Sequence, residues 1–243
     1  MHWLDTYSIK ARLAPALVAI VPVLALSVVA VPWNQFSVPQ SAAASLVAVL
    51  FIGASDLARR RGKRIERRIL RANAGQPMAT TLRHRDPTID PMLKRRYLDW
   101  LGEQLKEAPP THNEELENKA AADAFYSRCT VILRDRTRDA NRFKLVFEEN
   151  VTYGFRRNLL GLKQPTLVLD FIIGLVSSYM LWQGNDLAGD AIKPVAVSVV
   201  IGITTLHATY FIWMVTKASV LEAADQYGRQ LVLSAETLIS GSG

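Results

Sequence analysis

The chain contains one cysteine, Cys129, and four scattered histidines, His2, His84, His112 and His207. A single cysteine excludes a disulfide within the chain, and no Cys/His group has the spacing of metal ligands. The sequence also lacks HExxH, GxSxG, Walker A, GxGxxG and CxxC patterns, which are strong signatures of metalloproteases, hydrolases, nucleotide-binding folds and redox or zinc sites. We therefore predict no enzyme, no cofactor and no metal site.

Charge is nearly absent from four long apolar runs, at residues 13–33, 41–55, 165–182 and 194–216. A helix rises about 1.5 Å per residue and needs about 20 apolar residues to cross about 30 Å of hydrocarbon. The first and fourth runs are apolar almost all round, unlike the helices of soluble proteins. The second run is short and rich in alanine, and it is expected to span as well. We predict four transmembrane helices arranged as two hairpins.

Positive charge is concentrated between the two hairpins, because 24 of the 29 Lys and Arg residues lie from Arg59 to Lys163. The two short loops, residues 33–40 and 183–194, contain one positive charge, Lys193. Lys and Arg stay on the cytoplasmic side of a membrane, which places both termini and the central region in the cytoplasm. The first run is too long for a cleaved signal peptide and is interpreted as an uncleaved anchor.

The predicted fold class is all-α, since the central region shows no alternating strand pattern. Asp90 before Pro91 is expected to cap a helix that ends near Lys106, and Asn113 to cap the next helix. The first residues favour a short interfacial helix, with a frayed terminus as the alternative. The predicted divisions are an interfacial segment at 1–12, a hairpin at 13–55, a basic cytosolic domain at 56–164, a second hairpin at 165–216 and an amphipathic cytosolic helix at 217–243.

Cationic residues of the central region are candidates for binding an anion. Residues 57–71 continue the second span and carry eight Lys and Arg residues. Such a cluster attracts anionic lipid, at about 1 kcal/mol per charge near the surface, or it docks an anionic ligand such as a nucleotide or oligonucleotide. Composition leaves both interpretations open. The candidate ligand-binding residues are Arg83, His84, Arg85, Arg156 and Arg157.

Residues 141–163 are the densest in polar and aromatic groups, and we interpret them as the junction between the cytosolic domain and the third span. The candidate gating residues are Glu149, Tyr153 and Gly154, with Glu149 able to pair with Arg156 across neighbouring turns or between subunits. Gly154 and Gly161 are expected to interrupt the helix. The adjacent acids Glu148 and Glu149 point about 100° apart on a helix and do not form a catalytic dyad.

The third span contains an acid, Asp170, which should face protein or water because a charge in hydrocarbon is costly. The fourth span carries small or polar residues spaced along one side, with His207 off that stripe. Small residues at such positions indicate close helix packing. The alternative is a polar or acidic pore lining built by several subunits, in which Asp170 attracts cations. The candidate pore residues are Asp170, Gly174, Ser177, Ser198, Thr205 and Thr209, with Gly202 on the same stripe.

Two helical hairpins around a basic cytosolic insert resemble the four-helix membrane effectors of bacterial anti-phage systems, most of all the Hailong-type effector. The segments that carry the resemblance are TTLRHRDP at 80–87 and FEENVTYGFRRNLLGLK at 147–163. Membership would imply an oligomeric channel in the bacterial inner membrane that opens on infection and dissipates the membrane potential. It would also imply control by a nucleotide or oligonucleotide made by a partner nucleotidyltransferase.

The hypothesis from the sequence is a ligand-gated, homo-oligomeric pore with a helical cytosolic sensor. Four short spans enclose too little space for a water path, so the pore requires several copies, and a tetramer is favoured. Membrane lipid is the other expected partner. The alternative is a non-conducting membrane scaffold that presents the basic domain to a protein or nucleic acid.

Overall fold

The computed structural model describes residues 6–31, 38–72, 77–183 and 194–241, and all regular elements in these ranges are helical. The all-α prediction is therefore confirmed for the described chain. The helices are α1 (Thr6–Ser8), a π-helical turn (Ile9–Leu13), α2 (Ala14–Ala19), α3 (Val21–Ala30), α4 (Val38–Ala72), α5 (Pro77–Thr80), α6 (Pro91–Leu105), α7 (His112–Glu117), α8 (Lys119–Arg136), α9 (Lys144–Gln183), α10 (Pro194–Trp213) and α11 (Lys217–Ser240).

Three helices are long and apolar enough to cross a membrane: Val38–Arg68, Lys144–Gln183 and Pro194–Trp213. The first predicted span is instead a bent pair, Thr6–Ala19 and Val21–Ala30, whose axes differ by 50°. It becomes a fourth crossing if the pair is one broken span, so the four-span layout stays a prediction. The first five residues and both predicted short loops lie mainly outside the described ranges.

The chain divides into two compact units. Unit 1 comprises Met1–Ile65 and Gly154–Ser219, and unit 2 comprises Glu66–Tyr153 and Val220–Gly243. Both α4 and α9 contribute residues to each unit, and both run unbroken through the predicted membrane boundaries at residues 55 and 164. The predicted continuation of the second span into the basic segment is thus confirmed as one helix.

Glycines bring helices of unit 1 into close contact. A Cβ atom on Gly161 would lie 2.8 Å from the backbone nitrogen of Gly62, and one on Gly154 would lie 2.9 Å from the Tyr7 hydroxyl. The prediction that Gly154 and Gly161 break the helix is wrong, because α9 is continuous through both. Their function in the fold is to let backbones approach where any side chain would keep them apart.

The core of unit 1 lies where the N-terminal helices, α4, α9 and α10 meet. Its buried members are two alanines, two leucines, a valine and a phenylalanine, and α3 also packs along α10. By contrast, α4 buries only 6% of its apolar window, against 33% for α9 and 28% for α10. Most of the apolar surface of α4 is therefore exposed. The core residues are Ala19, Ala58, Leu159, Leu162, Phe211 and Val215.

Unit 2 is organised around α8, against which α5, α6 and α7 pack. The predicted cap at Asp90 is confirmed, since its carboxylate accepts hydrogen bonds from the backbone N–H groups of Met92 and Leu93. The predicted cap at Asn113 is wrong. Helix α7 begins two residues earlier with a capping box between Thr111 and Glu114, because a Thr three residues before a Glu satisfies two backbone donors at once.

A buried polar network fixes the chain before α6 in unit 2. The Glu115 carboxylate accepts hydrogen bonds from the Tyr126 hydroxyl at 2.7 Å and from the His84 backbone N–H at 2.9 Å. The Lys94 ammonium donates to the backbone oxygen of Arg83 at 2.7 Å. Burial lowers the pKa of Lys94, with Asp86 and Glu115 opposing the shift, and burial together with Glu115 raises the pKa of Tyr126.

Cys129 is expected to be unreactive in the folded protein. Its side chain is completely buried in α8, and burial raises the pKa of the thiol to about 12. Because the thiolate is the reactive form, we expect a maleimide reagent to label native protein at neutral pH far more slowly than protein unfolded in guanidinium. Equal rates measured by mass spectrometry would show that α8 opens readily.

Candidate functional site

Two prolines leave backbone carbonyls without their usual partners in the N-terminal helices. In an α-helix a carbonyl accepts from the N–H four residues later, and proline has no N–H. Pro15 therefore cannot donate to Ala11, and Pro22 cannot donate to Val18. The chain turns π-helical at Ile9–Leu13 and bends after Ala19 at these places.

Side chains from two other helices supply the missing donors. The Asn158 amide of α9 donates to the backbone oxygen of Ala11 at 2.6 Å, and Nε2 of His207 in α10 lies 2.9 Å from the backbone oxygen of Val18. Asn158 is buried, and the His207 side chain is only 8% exposed. Each proline is thus matched by a buried donor, which ties the N-terminal helices to the rest of unit 1.

The other nitrogen of His207 binds Asp170. Nδ1 lies 3.0 Å from both carboxylate oxygens, and the Asp170 side chain is 3% exposed. Because a carbonyl oxygen only accepts, Nε2 must carry a hydrogen. The contact between Nδ1 and the carboxylate requires a hydrogen on one of the two groups, because neither a bare ring nitrogen nor a carboxylate oxygen donates.

This contact joins three helices at one point, through Val18 of α2, Asp170 of α9 and His207 of α10, and we call it the proline latch. It lies beside the Phe211 ring, whose centroid is 4.8 Å from that of the imidazole. In such apolar surroundings a hydrogen bond is stronger and an unpaired polar group costs more than in water. An ionisable pair in an apolar helix bundle is a functional candidate by default.

Cations hold the other end of α10 and the start of α11. The Lys163 ammonium donates to the backbone oxygens of Ile212 and Val215, each at 2.9 Å, where a positive charge complements the helix dipole. The Arg156 guanidinium donates to the backbone oxygen of Ser219 at 3.0 Å. Arg156, predicted to bind a ligand, is therefore engaged within unit 1.

The predicted pore residues fall on two different sides of unit 1. Asp170 and Ser177 are buried on the inward side of α9, whereas a Cβ on Gly174 would meet nothing within 4 Å. The stripe on α10 faces outward. Its exposed members are Ser198, Gly202, Thr205 and Thr209. The structure thus separates Asp170 from the stripe with which it was grouped, and pairs it with His207 instead.

The predicted ligand-binding residues are also divided. Arg83 is 4% exposed and forms an ion pair with Asp123 at 2.7 Å, so it stabilises unit 2. His84 and Arg85 are exposed on that unit, although His84 also lies 2.8 Å from the backbone oxygen of Pro110. Arg156 and Arg157 belong to unit 1.

The predicted junction residues stand where the chain passes from unit 2 to unit 1, between Tyr153 and Gly154. Tyr153 is buried, donates to Glu66 at 3.0 Å and stacks on the Tyr227 ring. Glu149 is half-buried one turn earlier. A role of these residues in gating stays a prediction.

Sequence reasoning missed His207 and Asn158. The signal for His207 was present, because an ionisable residue in an apolar helix calls for a partner and Asp170 is the acid of the third run. The two prolines were a second signal, since each one removes the N–H that would normally bind the carbonyl four residues earlier. What the sequence did not contain is which side chain would reach which carbonyl.

Comparison with protein families, curated proteins and solved structures yields no match. Among the residues that the structure describes, no three His, Cys, Asp or Glu side chains could together hold a metal ion.

Proposed function

We propose that this chain forms a homo-oligomeric ion-conducting pore in a membrane, lined by the outward side of α10. The observation that carries the proposal is the exposed stripe Ser198, Gly202, Thr205 and Thr209 on an uncharged helix long enough to span. Polar groups at membrane depth are covered by protein or water in preference to hydrocarbon. Symmetric copies would bring the stripes together around an axis, and we favour a tetramer.

The chemistry of the stripe suits cations. Ser198, Thr205 and Thr209 each donate the hydroxyl hydrogen to a carbonyl four residues earlier, at 3.1, 2.8 and 2.8 Å. Their donors are thus occupied, and the free lone pairs of the oxygens point away from the helix backbone. Rings of such oxygen acceptors can replace part of the water around a passing cation.

In this proposal the proline latch holds the closed state. It links α2, α9 and α10 through one buried ionisable pair, and rearranging these helices requires breaking it. The role of Asp170 predicted from the sequence, an acid that attracts cations in the ion path, would then belong to a state in which the pair has opened.

The proposal includes the biological role implied by the resemblance. The chain would be an effector of anti-phage defence in the bacterial inner membrane, with both termini in the cytoplasm. A nucleotide or oligonucleotide from a partner nucleotidyltransferase would trigger it, and the opened pore would depolarise the cell. Supporting this role are the apolar helices of unit 1 and the basic extension of α4.

A non-conducting scaffold is the second candidate, and the exposed cations of α4 favour it. They lie along the last part of a continuous helix, where they can contact anionic lipid headgroups or a partner. The scaffold predicts anion binding without ion flux. These cations are Arg59, Arg60, Lys63, Arg64, Arg67 and Arg68.

Ion flux from liposomes that contain the purified protein tests the proposal. We expect Asp170→Ala to increase the flux because it removes the link between His207 and α9, whereas the acidic pore predicted from the sequence would show a decrease. In the Asp170→Ala background, Thr205→Val and Thr209→Val should reduce the flux severalfold by removing acceptors from the path.

The matched control is Thr204→Val, which changes the neighbouring, inward-facing residue whose hydroxyl also donates to its own helix. It should leave the flux unchanged. Tight liposomes for the wild type and for Asp170→Ala would contradict the pore and favour the scaffold.

A further inference from the structure

Unit 2 has an open pocket of about 490 Å³ between the second half of α6 and the end of α8. Val131 and Ile132 provide its apolar surface, and polar side chains surround them. Sites for small organic ligands have about this volume and combine an apolar surface with a few polar groups. None of the residues assigned to a ligand above lines this pocket.

The pocket is strongly cationic. Three guanidinium groups, from Arg134, Arg136 and Arg138, line it together with one carboxylate, that of Asp135. Asp135 forms an ion pair with Arg138 at 2.7 Å, in which the two side chains are 64% and 80% exposed. An ion pair this exposed contributes little, so an incoming anion can replace the carboxylate at small cost.

Arg136 is held in place without being neutralised. Its guanidinium carbon lies 5.4 Å from the centroid of the Trp100 ring, and it donates to the side-chain oxygen of Gln104. Both partners are uncharged. Stacking and a neutral hydrogen bond orient the fork of N–H donors while leaving its positive charge available.

The position of these cations at the end of α8 explains only part of the arrangement. Arg134 and Arg136 lie in the last turn of α8, where positive charge stabilises a helix. That effect requires neither the contact of Arg136 with Trp100 and Gln104 nor a third arginine beyond the helix end. All three arginines line the same pocket.

We propose that this pocket binds the phosphate groups of a small phosphorylated ligand. Planar guanidinium groups match phosphate oxygens with two parallel hydrogen bonds each, and the apolar surface can hold the organic part. A role of this pocket in controlling the pore rests on the proposed function. The binding of phosphate does not depend on it. Arg136 and Arg138 are the residues that contact phosphate.

Binding is measured with the full chain in detergent, by calorimetry with ATP and with inorganic triphosphate. Loss of one charge-assisted contact should weaken binding by about 10-fold or more, so we expect this for Arg136→Gln and for Arg138→Gln. Arg138 is exposed, so its substitution leaves the fold intact even if Arg136→Gln does not fold. The control is Arg95→Gln, which removes the same charge from an exposed site on α6 outside the pocket.

A second arm uses phosphatidylglycerol vesicles to distinguish a lipid headgroup from a free phosphate. Vesicle binding that is lost in both pocket variants would identify the headgroup as the source. Absence of binding to triphosphate, ATP and vesicles would overturn the proposal, as would equal weakening by Arg95→Gln. Phosphate binding without ion flux would contradict the proposed pore and support the phosphate site. Ion flux without phosphate binding would support the pore and contradict the phosphate site.

Discussion

Replacing His207 by alanine should destabilise the protein by about 3–5 kcal/mol, the range for removing one partner of a buried ion pair. The substitution removes the donor that His207 supplies to two buried groups, the Val18 carbonyl and the Asp170 carboxylate. Asp170→Ala should cost less, about 1.5–3 kcal/mol, the usual contribution of a hydrogen bond to a charged group. The remaining imidazole can be neutral and still donate from Nε2 to Val18.

Asp170→Asn is expected to be the mildest change, because an amide can donate to Nδ1 while Nε2 keeps its bond to Val18. Chemical unfolding in detergent, followed by tryptophan fluorescence, gives the free energy of unfolding for each variant. Leu206→Ala serves as the control, since Leu206 is the exposed residue next to His207 on α10. Simple additivity of His207→Ala and Asp170→Ala would contradict the pairing.

The proline latch also predicts a suppressor. Pro22→Ala restores the backbone N–H at residue 22, which can donate to the Val18 carbonyl. That carbonyl then no longer depends on His207 for a donor. The cost of His207→Ala should therefore be smaller in the Pro22→Ala background than in the wild type. A cost that is the same in both backgrounds would show that proline and histidine act independently.

Gly161→Ala should destabilise unit 1, whereas the same change at Gly174 should not. The new Cβ at residue 161 would lie 2.8 Å from the Gly62 backbone nitrogen, and backbone atoms cannot rotate away as a side chain can. Overpacking of this kind typically costs about 1–3 kcal/mol. At Gly174 nothing lies within 4 Å of the added methyl group, and the helix gains up to about 1 kcal/mol from alanine.

The two substitutions are on one helix and differ in their surroundings, which makes them a matched pair. Thermal unfolding in detergent should lower the midpoint for Gly161→Ala and leave it unchanged or raised for Gly174→Ala. Gly62→Ala provides a second test, since its Cβ would clash with the Asn158 side-chain oxygen and would displace the amide that donates to Ala11. A midpoint shift of the same sign and size at residues 161 and 174 would contradict the close crossing.

Local features of the fold were predictable. The helix after Asp90 was correctly predicted because a carboxylate before proline caps a helix through contacts within three residues. The cap at Asn113 was misplaced because several capping residues compete within a few positions, and the capping box of Thr111 and Glu114 satisfies more donors. The expected breaks at Gly154 and Gly161 failed because packing across a helix interface outweighs the low helix propensity of glycine.

The candidate site was predictable only in part. Asp170 was identified as a candidate because it is an acid within an apolar run, which is visible from its neighbours along the chain. Its partner lies 37 positions away and the Val18 carbonyl 189 positions from His207. The rotation of α10 about its axis decides whether His207 or Thr205 faces α9, and the apolar pattern of α10 is too uniform to specify it.

The amino-acid sequence was sufficient to establish the apolar lengths, the helical class and the concentration of positive charge, because each depends on neighbours along the chain. Three-dimensional packing was needed to show that the two proline-orphaned carbonyls meet Asn158 and His207, that Asp170 is buried in a pair, and that the small polar stripe of α10 faces outward. The physical reason is that hydrophobic burial is non-directional and tolerates many helix rotations, whereas hydrogen bonds require particular atoms within about 3 Å of each other.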